Sequence, residues 1–359
     1  MNRNTAQQSA GQIIGLIDGQ QVVGLDIAKN VFQLYTVDMQ SGEIVNMQLK
    51  RAKVLEHFAN KSPCLVGIEA CGGAHHWARK LQQLGHSVRL IHAKTVRPFV
   101  TGNKTDAADA RAIWQAIQQP EAKLVSVKTL EQQATLTLHR QRELLVKMKT
   151  MQTNSLRSLL YEFGVTFACG NNVMLGEVET ALQALTKTIP QYVLDSLREQ
   201  VQRIRQQAQD IKAVEQRLAQ CLRADVDMQR IAKIPGVGLL TATAAIATMG
   251  QASAFKSGRQ FCAWLGLVPA QMGTGGKVNL LGISKRGDTY LRMLLIHGAR
   301  SVLANAKQPG PWLEQISARR PANVVAVAQA AKMARTIWAV TAHQRDYQRD
   351  WRSAKPQAA

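Results

Sequence analysis

Residues 21–49 read QVVGLDIAKNVFQLYTVDMQSGEIVNMQL, and this stretch decides the class of the first domain. Apolar runs at residues 21–26 and 31–38 predict two buried strands. The Ser-Gly pair at 41–42 predicts a hairpin turn into a third strand at residues 44–49. Three strands joined by short turns indicate that a sheet begins here with antiparallel hairpins.

Downstream of the hairpins the pattern alternates between short apolar strands and helices. Strands are predicted at residues 64–69 and 87–91, and helices at residues 54–59, 74–84 and 106–117, with Thr105 as the N-cap of the last helix. Hairpins followed by strand–helix alternation predict an α/β domain with a mixed sheet over residues 20–120.

The middle region, residues 121–227, is predicted to be helical. After Pro190, apolar residues recur with alternating spacings of three and four. Eight of the nine positions are apolar, the exception being Glu215; they are Leu194, Leu197, Val201, Ile204, Ala208, Ile211, Glu215, Leu218 and Leu222. This pattern favours a coiled coil through which the chain forms a homo-oligomer, a dimer or tetramer. An amphipathic helix that packs on its own domain is the alternative.

The last region, residues 228–343, is predicted to be mostly α-helical and is followed by a tail at residues 344–359. It opens with a helix, a Pro-Gly-Val-Gly turn containing Gly236 and Gly238, and a helix of small residues. The turn resembles a helix-hairpin-helix element, in which exposed backbone N–H groups bind phosphate. An ordinary turn between two helices is the alternative.

Charge separates this last region from the rest of the chain. The 359 residues carry 45 Lys and Arg against 24 Asp and Glu, a net charge of +21. Residues 228–343 hold 14 basic and only 2 acidic side chains. This excess disfavours a small-molecule enzyme and indicates a nucleic-acid partner.

Cysteine usage and hydropathy exclude several other classes. The five cysteines are scattered without a C-x-x-C pair, which argues against a disulfide framework or a structural zinc site. No secretory signal or membrane span is expected. The expectation is a cytoplasmic, nucleoid-associated protein without a membrane partner.

Four acidic residues of the first domain form a candidate metal site. Asp26 and Glu69 each end an apolar strand, and Asp106 and Asp109 share one face at the start of a helix. Converging carboxylates repel one another unless a cation binds them, and all-oxygen ligands suit Mg²⁺ or Mn²⁺. In the alternative interpretation, Asp26 only caps its strand and the helix acids only complement the helix dipole.

The motifs around these acids resemble the D, E and D-x-x-D blocks of the DEDD transposases. The blocks are GLDIAKN at 24–30, GIEACGG at 67–73 and NKTDAADA at 103–110. The second half also resembles that family in IPGVGLLTA at 234–242, in the F-x-SGRQFCAWLGLVP stretch at 255–269, and in the GGK and KRGD motifs within 275–288. The resemblance covers most of the chain in the right order, and relatives include the Piv-type DNA invertases.

The resemblance implies an RNase H-like (RuvC-like) nuclease domain followed by a C-terminal transposase domain. It implies an insertion-sequence recombinase in which Asp26, Glu69, Asp106 and Asp109 bind divalent metal. A C-terminal serine of the family attacks DNA to form a covalent phospho-enzyme. The resemblance also implies oligomers in which domains of different subunits build the site, and a guide RNA from the element that selects the element ends and target DNA.

The chain departs from the family where that serine is expected. The loop reads QMGTGGK at 271–277, so Gly273 occupies the expected serine position. Thr274 is the remaining hydroxyl of the loop and is the first candidate nucleophile. Ser284 and an impaired or water-dependent site are the alternatives.

Basic side chains near these motifs are candidate nucleic-acid ligands. They are Lys104, Lys277, Lys285, Arg286, Arg292 and Arg300. The sequence therefore predicts a transposase that cleaves and rejoins DNA with metal. A Holliday-junction-type endonuclease and a catalytically impaired nucleic-acid-binding relative are the alternative functions.

Overall fold

A computed structural model describes residues 16–17, 20–103, 105–168, 170–306, 308 and 310–349. The chain divides into two compact units, unit 1 up to Thr129 and unit 2 from Leu130 onward. Among the described residues, no helix combines the length and the apolar character needed to cross a bilayer.

Unit 1 is built on one mixed sheet flanked by helices. Its strands are β1 (Leu16–Ile17), β2 (Gln20–Asp26), β3 (Val31–Val37), β4 (Ile44–Lys50), β5 (Leu65–Glu69), β6 (Ser87–Ile91) and β7 (Leu124–Val125). Its helices are α1 (Val54–Ala59), α2 (Ala74–Gln83), α3 (Ala93–Val96) and α4 (Asp106–Ile117). The predicted strands and helices of this region are all present, with ends within one residue of the prediction.

The sheet has the order β4-β3-β2-β5-β6-β7, and β1 pairs with the start of β2. β2, β3 and β4 are antiparallel neighbours, whereas β2, β5 and β6 are parallel. Alternation of side chains divides the sheet into two buried faces. One face packs on α1 and α2 through Val23, Leu25 and Trp77, and the other packs on α4 through Val22 and Trp114. The predicted mixed α/β sheet is confirmed and is consistent with an RNase H-like domain.

Unit 2 is mainly helical. Its helices are α5 (Leu130–Tyr161), α6 (Asn171–Ala184), α7 (Gln191–Ala224), α8 (Val226–Ala232), α9 (Leu239–Met249), α10 (Gly258–Trp264), α11 (Thr289–Asn305), α12 (Pro311–Arg319) and α13 (Ala322–Ala342). Two strands, β8 (Pro269–Thr274) and β9 (Lys277–Ile283), form an antiparallel hairpin.

The long helices α5 and α7 pack on each other and on α6 within the chain. Leu194, Leu197, Val201 and Ile204 of α7 are buried in a cluster with residues of α5 and α6. Farther along, the buried residues are Gln207, Val214 and Leu218. Leu218 stands at a predicted position, whereas Gln207 and Val214 each precede the expected Ala208 and Glu215 by one residue.

A second cluster forms the interior of the C-terminal part of unit 2. It joins α8 to α11 and α13 through side chains such as Ile231, Phe261, Leu295 and Ile337. This cluster supports the segment that carries the hairpin, so the hairpin projects from a packed base.

Candidate active site and nucleic-acid interface

Asp26 and Glu69 lie side by side at the same edge of the sheet. β2 and β5 run parallel with Leu25 opposite Ile68, and each acid is the next residue of its strand. Because side chains alternate along a strand, Asp26 lies on the same face as Gly24, and Glu69 on the same face as Gly67. Both glycines face α4. The two carboxylates therefore share the edge that α4 covers.

Helix α4 brings the other two acids to this edge. The Thr105 side chain accepts a hydrogen bond from the Ala108 amide at 3.2 Å, which caps the helix as expected. Asp106 and Asp109 both lie in its first turn.

Gly24 permits α4 to lie directly against β2. A Cβ at Gly24 would lie 2.7 Å from the Trp114 amide nitrogen and closer still to the Ala110 carbonyl oxygen. A side chain there would push the helix and its acids away from Asp26. Gly67 has a similar role toward Ile117. Sequence reasoning missed these positioning glycines, although each stands two residues before a strand-end acid, in G-L-D and G-I-E.

The four acids interact electrostatically. Burial, and then the charges of Asp109, Asp106 and Glu69, raise the pKa of Asp26 from 3.8 to about 6. Repulsion by all three acids places them within electrostatic range of Asp26.

The donor set fits a hard divalent cation, since it consists of carboxylate oxygens in a region of excess negative charge. Within the described part of the chain, no three His, Cys, Asp or Glu side chains are grouped closely enough to count as a ready metal site. Lys104, the predicted phosphate contact beside these acids, lies outside the described residues.

Thr274 lies at the tip of the β8–β9 hairpin. It pairs across the strands with Lys277, and Gly275 and Gly276 between them have φ values of 57° and 79°. Such a turn requires residues that tolerate positive φ, which explains the two glycines. Both Thr274 and Lys277 are exposed, so the hydroxyl and the amine are accessible on one edge of the tip.

Ser284, the alternative nucleophile, lies at the base of the hairpin. Its backbone amide donates to the Val268 carbonyl at 2.9 Å. Its Oγ is buried and has no hydrogen-bond partner among the described residues. Access to an incoming phosphate therefore favours Thr274 over Ser284.

Arg292 is a structural residue and not the exposed phosphate contact expected from sequence. The side chain is buried, with 7% of its surface exposed. Its guanidinium donates to the carbonyl oxygens of Leu265 at 2.9 Å and Arg286 at 2.6 Å, and to Thr289 Oγ1 at 3.2 Å. These charge-assisted hydrogen bonds join α11 to the segments just before and just after the hairpin. Arg292 therefore fixes the base of the hairpin.

The other predicted cations within the described part of the chain are exposed. Lys285 and Arg286 follow the hairpin at the surface, and Lys285 adopts a φ of 52°. Arg300 on α11 is exposed and donates to Asn323 Oδ1 at 3.2 Å. These side chains are accessible to a phosphate backbone.

The two glycines of the predicted phosphate turn have different surroundings. Gly236 has a φ of 83° and packs against α11, where a Cβ would lie 2.8 Å from the Gly298 carbonyl oxygen. Gly238 is exposed at the N-cap of α9 and has no atom within 4 Å of its Cβ position. Gly236 thus holds two elements together, whereas only Gly238 presents open backbone.

Two family models match this chain, each over a different part. A transposase model of the DEDD IS110 type matches residues 23–164, which include all four acids. The model described as "Transposase IS116/IS110/IS902 family" matches residues 228–313, which include the hairpin.

Curated relatives match over nearly their whole length. The "Probable family 20 transposase" of Pseudomonas aeruginosa is 44% identical over 330 residues, which is 90% of this chain and 98% of the relative. The "Transposase for insertion sequence element IS1111A" of Coxiella burnetii is 38% identical, covering 91% of both chains. The "Transposase for insertion sequence element IS1328" of Yersinia enterocolitica is 37% identical, covering 89% of this chain and 96% of the relative.

The acid-bearing mixed sheet, together with these matches, defines a DNA-processing enzyme of the transposase class. The chain belongs to the IS110 family of insertion-sequence transposases.

Proposed function

We propose that this transposase cleaves and rejoins DNA strands by metal-dependent phosphodiester transfer. The observation that carries the proposal is the convergence of Asp26, Glu69 and the two acids of α4 on one edge of the sheet. Burial and then repulsion within this group raise the pKa of Asp26, and bound cations would relieve the repulsion. Acids that only cap strands or helices would not need to group four carboxylates at one edge of the sheet.

Asp26, Glu69, Asp106 and Asp109 would hold Mg²⁺ or Mn²⁺. When bound, such ions stabilise negative charge on the attacking and leaving oxygens of a phosphodiester. The chain's own contribution is to place four oxygen donors on a rigid edge, where β2, β5 and the capped start of α4 meet.

Thr274 would supply the nucleophile. Its Oγ forms a bond to phosphorus while the bond from phosphorus to a deoxyribose oxygen breaks, and the leaving oxygen takes up a proton as the hydroxyl loses one. The covalent product conserves the phosphodiester energy, so attack by a deoxyribose hydroxyl of another strand reverses the step and rejoins DNA. Lys277, paired with Thr274 across the hairpin, would contact the phosphate.

The basic residues of unit 2 would bind the DNA of element ends and target. Lys285, Arg286 and Arg300 are exposed on a region with 14 basic and 2 acidic side chains. The exposed backbone at Gly238 would add a phosphate contact of the helix-hairpin-helix kind. Recognition through phosphates carries little sequence information, so target choice requires another source of specificity.

A guide RNA would provide that specificity. Base pairing to an RNA moves sequence recognition away from protein side chains, and a strongly basic surface suits both nucleic acids. Co-purification of a discrete RNA with the expressed protein, sequenced and mapped to the element, tests this part of the proposal.

Self-association through the helical region is also part of the proposal. Five of the nine predicted positions of α7 are buried within the chain. α5 leaves a different line of apolar side chains exposed. Leu144, Met148, Met151 and Leu159 lie within an arc of about 80° on the helix. We assign this line on α5 to a coiled coil between two copies.

Charges placed on that line should prevent the association. Replacing both Leu144 and Met151, which are 57% and 61% exposed, with glutamate is expected to convert oligomers to monomers in light scattering. Tyr192→Glu is the matched control, since Tyr192 is a 76% exposed apolar residue on α7. An unchanged mass for the double variant would contradict a role for α5.

A trapped protein–DNA adduct tests the nucleophile. With Mg²⁺ and a nicked element-end substrate, the wild-type protein is expected to give an adduct stable to detergent. Thr274→Ala should abolish it, because the attacking oxygen is lost, and Ser284→Ala should retain it. Loss with Ser284→Ala alone would reverse the assignment.

The same assay separates the alternative functions. Cleavage without any adduct would indicate hydrolysis, as in a junction-resolving endonuclease. No product from branched, nicked or duplex DNA would indicate a nucleic-acid-binding protein without catalytic activity.

A further inference from the structure

A second concave site lies in unit 1, apart from the four acids. It is open to solvent and encloses about 690 Å³. Its lining consists of Asn30, Val31, Lys50, Arg51, Ala52, Leu55, His76 and Trp77, and we call it the Arg51 pocket. The floor is apolar and aromatic, the rim is polar, and no acidic side chain belongs to the lining.

The rim of the pocket carries positive charge that the chain does not neutralise. Among the described residues, neither Lys50 nor Arg51 forms an ion pair, and both are exposed. The nearby Lys53 differs, since its Nζ lies 2.8 Å from Glu56 Oε2. Burial and the cations Arg79, Lys80 and Arg51 lower the pKa of His76. These charges give the pocket a positive potential that favours an anionic ligand.

Arg51 lies over an aromatic base. Its guanidinium carbon is 5.0 Å from the centroid of the Trp77 ring and 5.9 Å from that of Phe32. These two rings contact each other edge to face, with centroids 4.8 Å apart. The aromatic support holds the flat guanidinium in place. A fixed guanidinium plane is a surface on which a nucleic-acid base stacks.

The pocket and the acids lie at the same end of the sheet. Asp26 ends β2, and Asn30 and Val31 of the pocket follow it through the turn into β3. The Arg51 amide donates to the Asn30 carbonyl at 2.8 Å, which attaches the end of β4 to that turn. Asn30 follows Asp26 by four residues, and four residues of chain span at most about 14 Å, so the pocket lies within that distance of Asp26 along the chain. Trp77 and Phe32 belong to the face opposite α4, so the pocket lies across the sheet edge from the acids.

We propose that the Arg51 pocket binds one nucleotide of a single nucleic-acid strand that crosses this edge. Lys50 contacts its phosphate, His76 flanks the phosphate, and the base stacks on the Arg51 guanidinium. The pocket would thereby hold the strand close to the phosphate that is cleaved. The proposal rests on the proposed function only in taking the bound polymer to be a nucleic acid.

Binding of short labelled oligonucleotides tests the pocket without any chemistry. The full-length protein is titrated against single-stranded DNA and RNA of about ten nucleotides in EDTA, with fluorescence anisotropy as the readout. Arg51→Gln is expected to weaken binding by about tenfold. Lys50→Gln should reduce the slope of log affinity against log salt by about 0.7, the loss of one phosphate contact. The DNA and RNA arms identify which strand the pocket prefers.

Lys61→Gln is the matched control. Lys61 lies between α1 and β5, at the opposite end of the sheet, and does not line the pocket, so its loss should change affinity less than about twofold. Equal losses for Lys61→Gln and Arg51→Gln would overturn the proposal, because a diffuse electrostatic surface would then explain binding. Thermal melting of each variant shows that its fold is retained.

An abasic oligonucleotide separates stacking from charge. The wild-type protein should bind it more weakly than the base-containing strand, and Arg51→Lys should lose this preference while retaining most of the salt dependence. If Arg51→Lys kept the preference, the stacking contact would be wrong. If the wild-type protein bound no oligonucleotide, the proposed function itself would fail. If the Arg51→Gln protein bound the oligonucleotides as tightly as the wild type, the assignment of the Arg51 pocket would be wrong while the proposed function would stand.

Discussion

Asp26→Asn is expected to lower Mg²⁺-dependent DNA cleavage by about a thousandfold, as measured with an element-end substrate. Asn has nearly the same shape as Asp but lacks the charge that binds a divalent cation. Asp26 is the acid on which the charges of Asp109, Asp106 and Glu69 all act, so its loss affects the whole group. Glu43→Gln is the control, since Glu43 is an exposed acid in the β3–β4 hairpin. Equal activity in the two variants would remove Asp26 from the site.

The same variant should be more stable than the wild type in metal-free buffer at neutral pH. The pKa of Asp26 is about 6 in the folded chain and 3.8 in the reference state. Between these values the folded protein retains a proton that the unfolded chain has lost, so wild-type stability falls as the pH rises through this window. Asp26→Asn avoids that loss. Its advantage in thermal melting should disappear below about pH 4, and Mg²⁺ should stabilise the wild type more than the variant.

Gly24→Ala is expected to lower the free energy of unfolding by about 2–3 kcal/mol and to reduce cleavage by about 100-fold. The added methyl group would meet the Ala110 carbonyl and the Trp114 amide of α4. Because backbone atoms cannot rotate away, the helix must shift, and Asp106 and Asp109 shift with it. Chemical denaturation and the cleavage assay measure the two effects.

Gly72→Ala is the matched control for Gly24→Ala. Gly72 lies three residues after Glu69, and no atom lies within 4 Å of its Cβ position. Its substitution should leave both stability and cleavage nearly unchanged. A similar loss in both variants would mean that α4 adjusts to the methyl group and that Gly24 does not position the acids.

Local signals predict unit 1 well. The hairpins of residues 21–49 follow from apolar runs and a Ser-Gly turn, and α4 spans Asp106–Ile117 as predicted because Thr105 caps it. These features depend on neighbours in sequence. Predicting that Asp26 and Glu69 share an edge requires one further rule, that parallel strands end at the same edge of a sheet. In the structure β2 and β5 are parallel, with Leu25 opposite Ile68.

Long-range packing explains what sequence could not predict. Arg292 reads as a surface cation, but its partners include the Leu265 carbonyl, 27 residues away in sequence. The Arg51 pocket is assembled from the β2–β3 turn, the end of β4 and α2, which no sequence motif connects. On α7, the apolar repeat favoured a coiled coil, with a helix packed on its own domain as the alternative; in the structure, residues of α5 and α6 cover its first half.

The β8–β9 hairpin presents nearly every side chain to solvent on both of its faces, including Met272, Val278 and Leu280. A two-stranded ribbon without a packed face is only marginally stable in water. The hairpin is therefore held at its base by Arg292, whereas Thr274 at the tip has no rigid surroundings. Under the proposed function, such a hydroxyl attacks a phosphate poorly until another surface covers the ribbon. The free protein should accordingly cleave DNA slowly as long as the ribbon is uncovered.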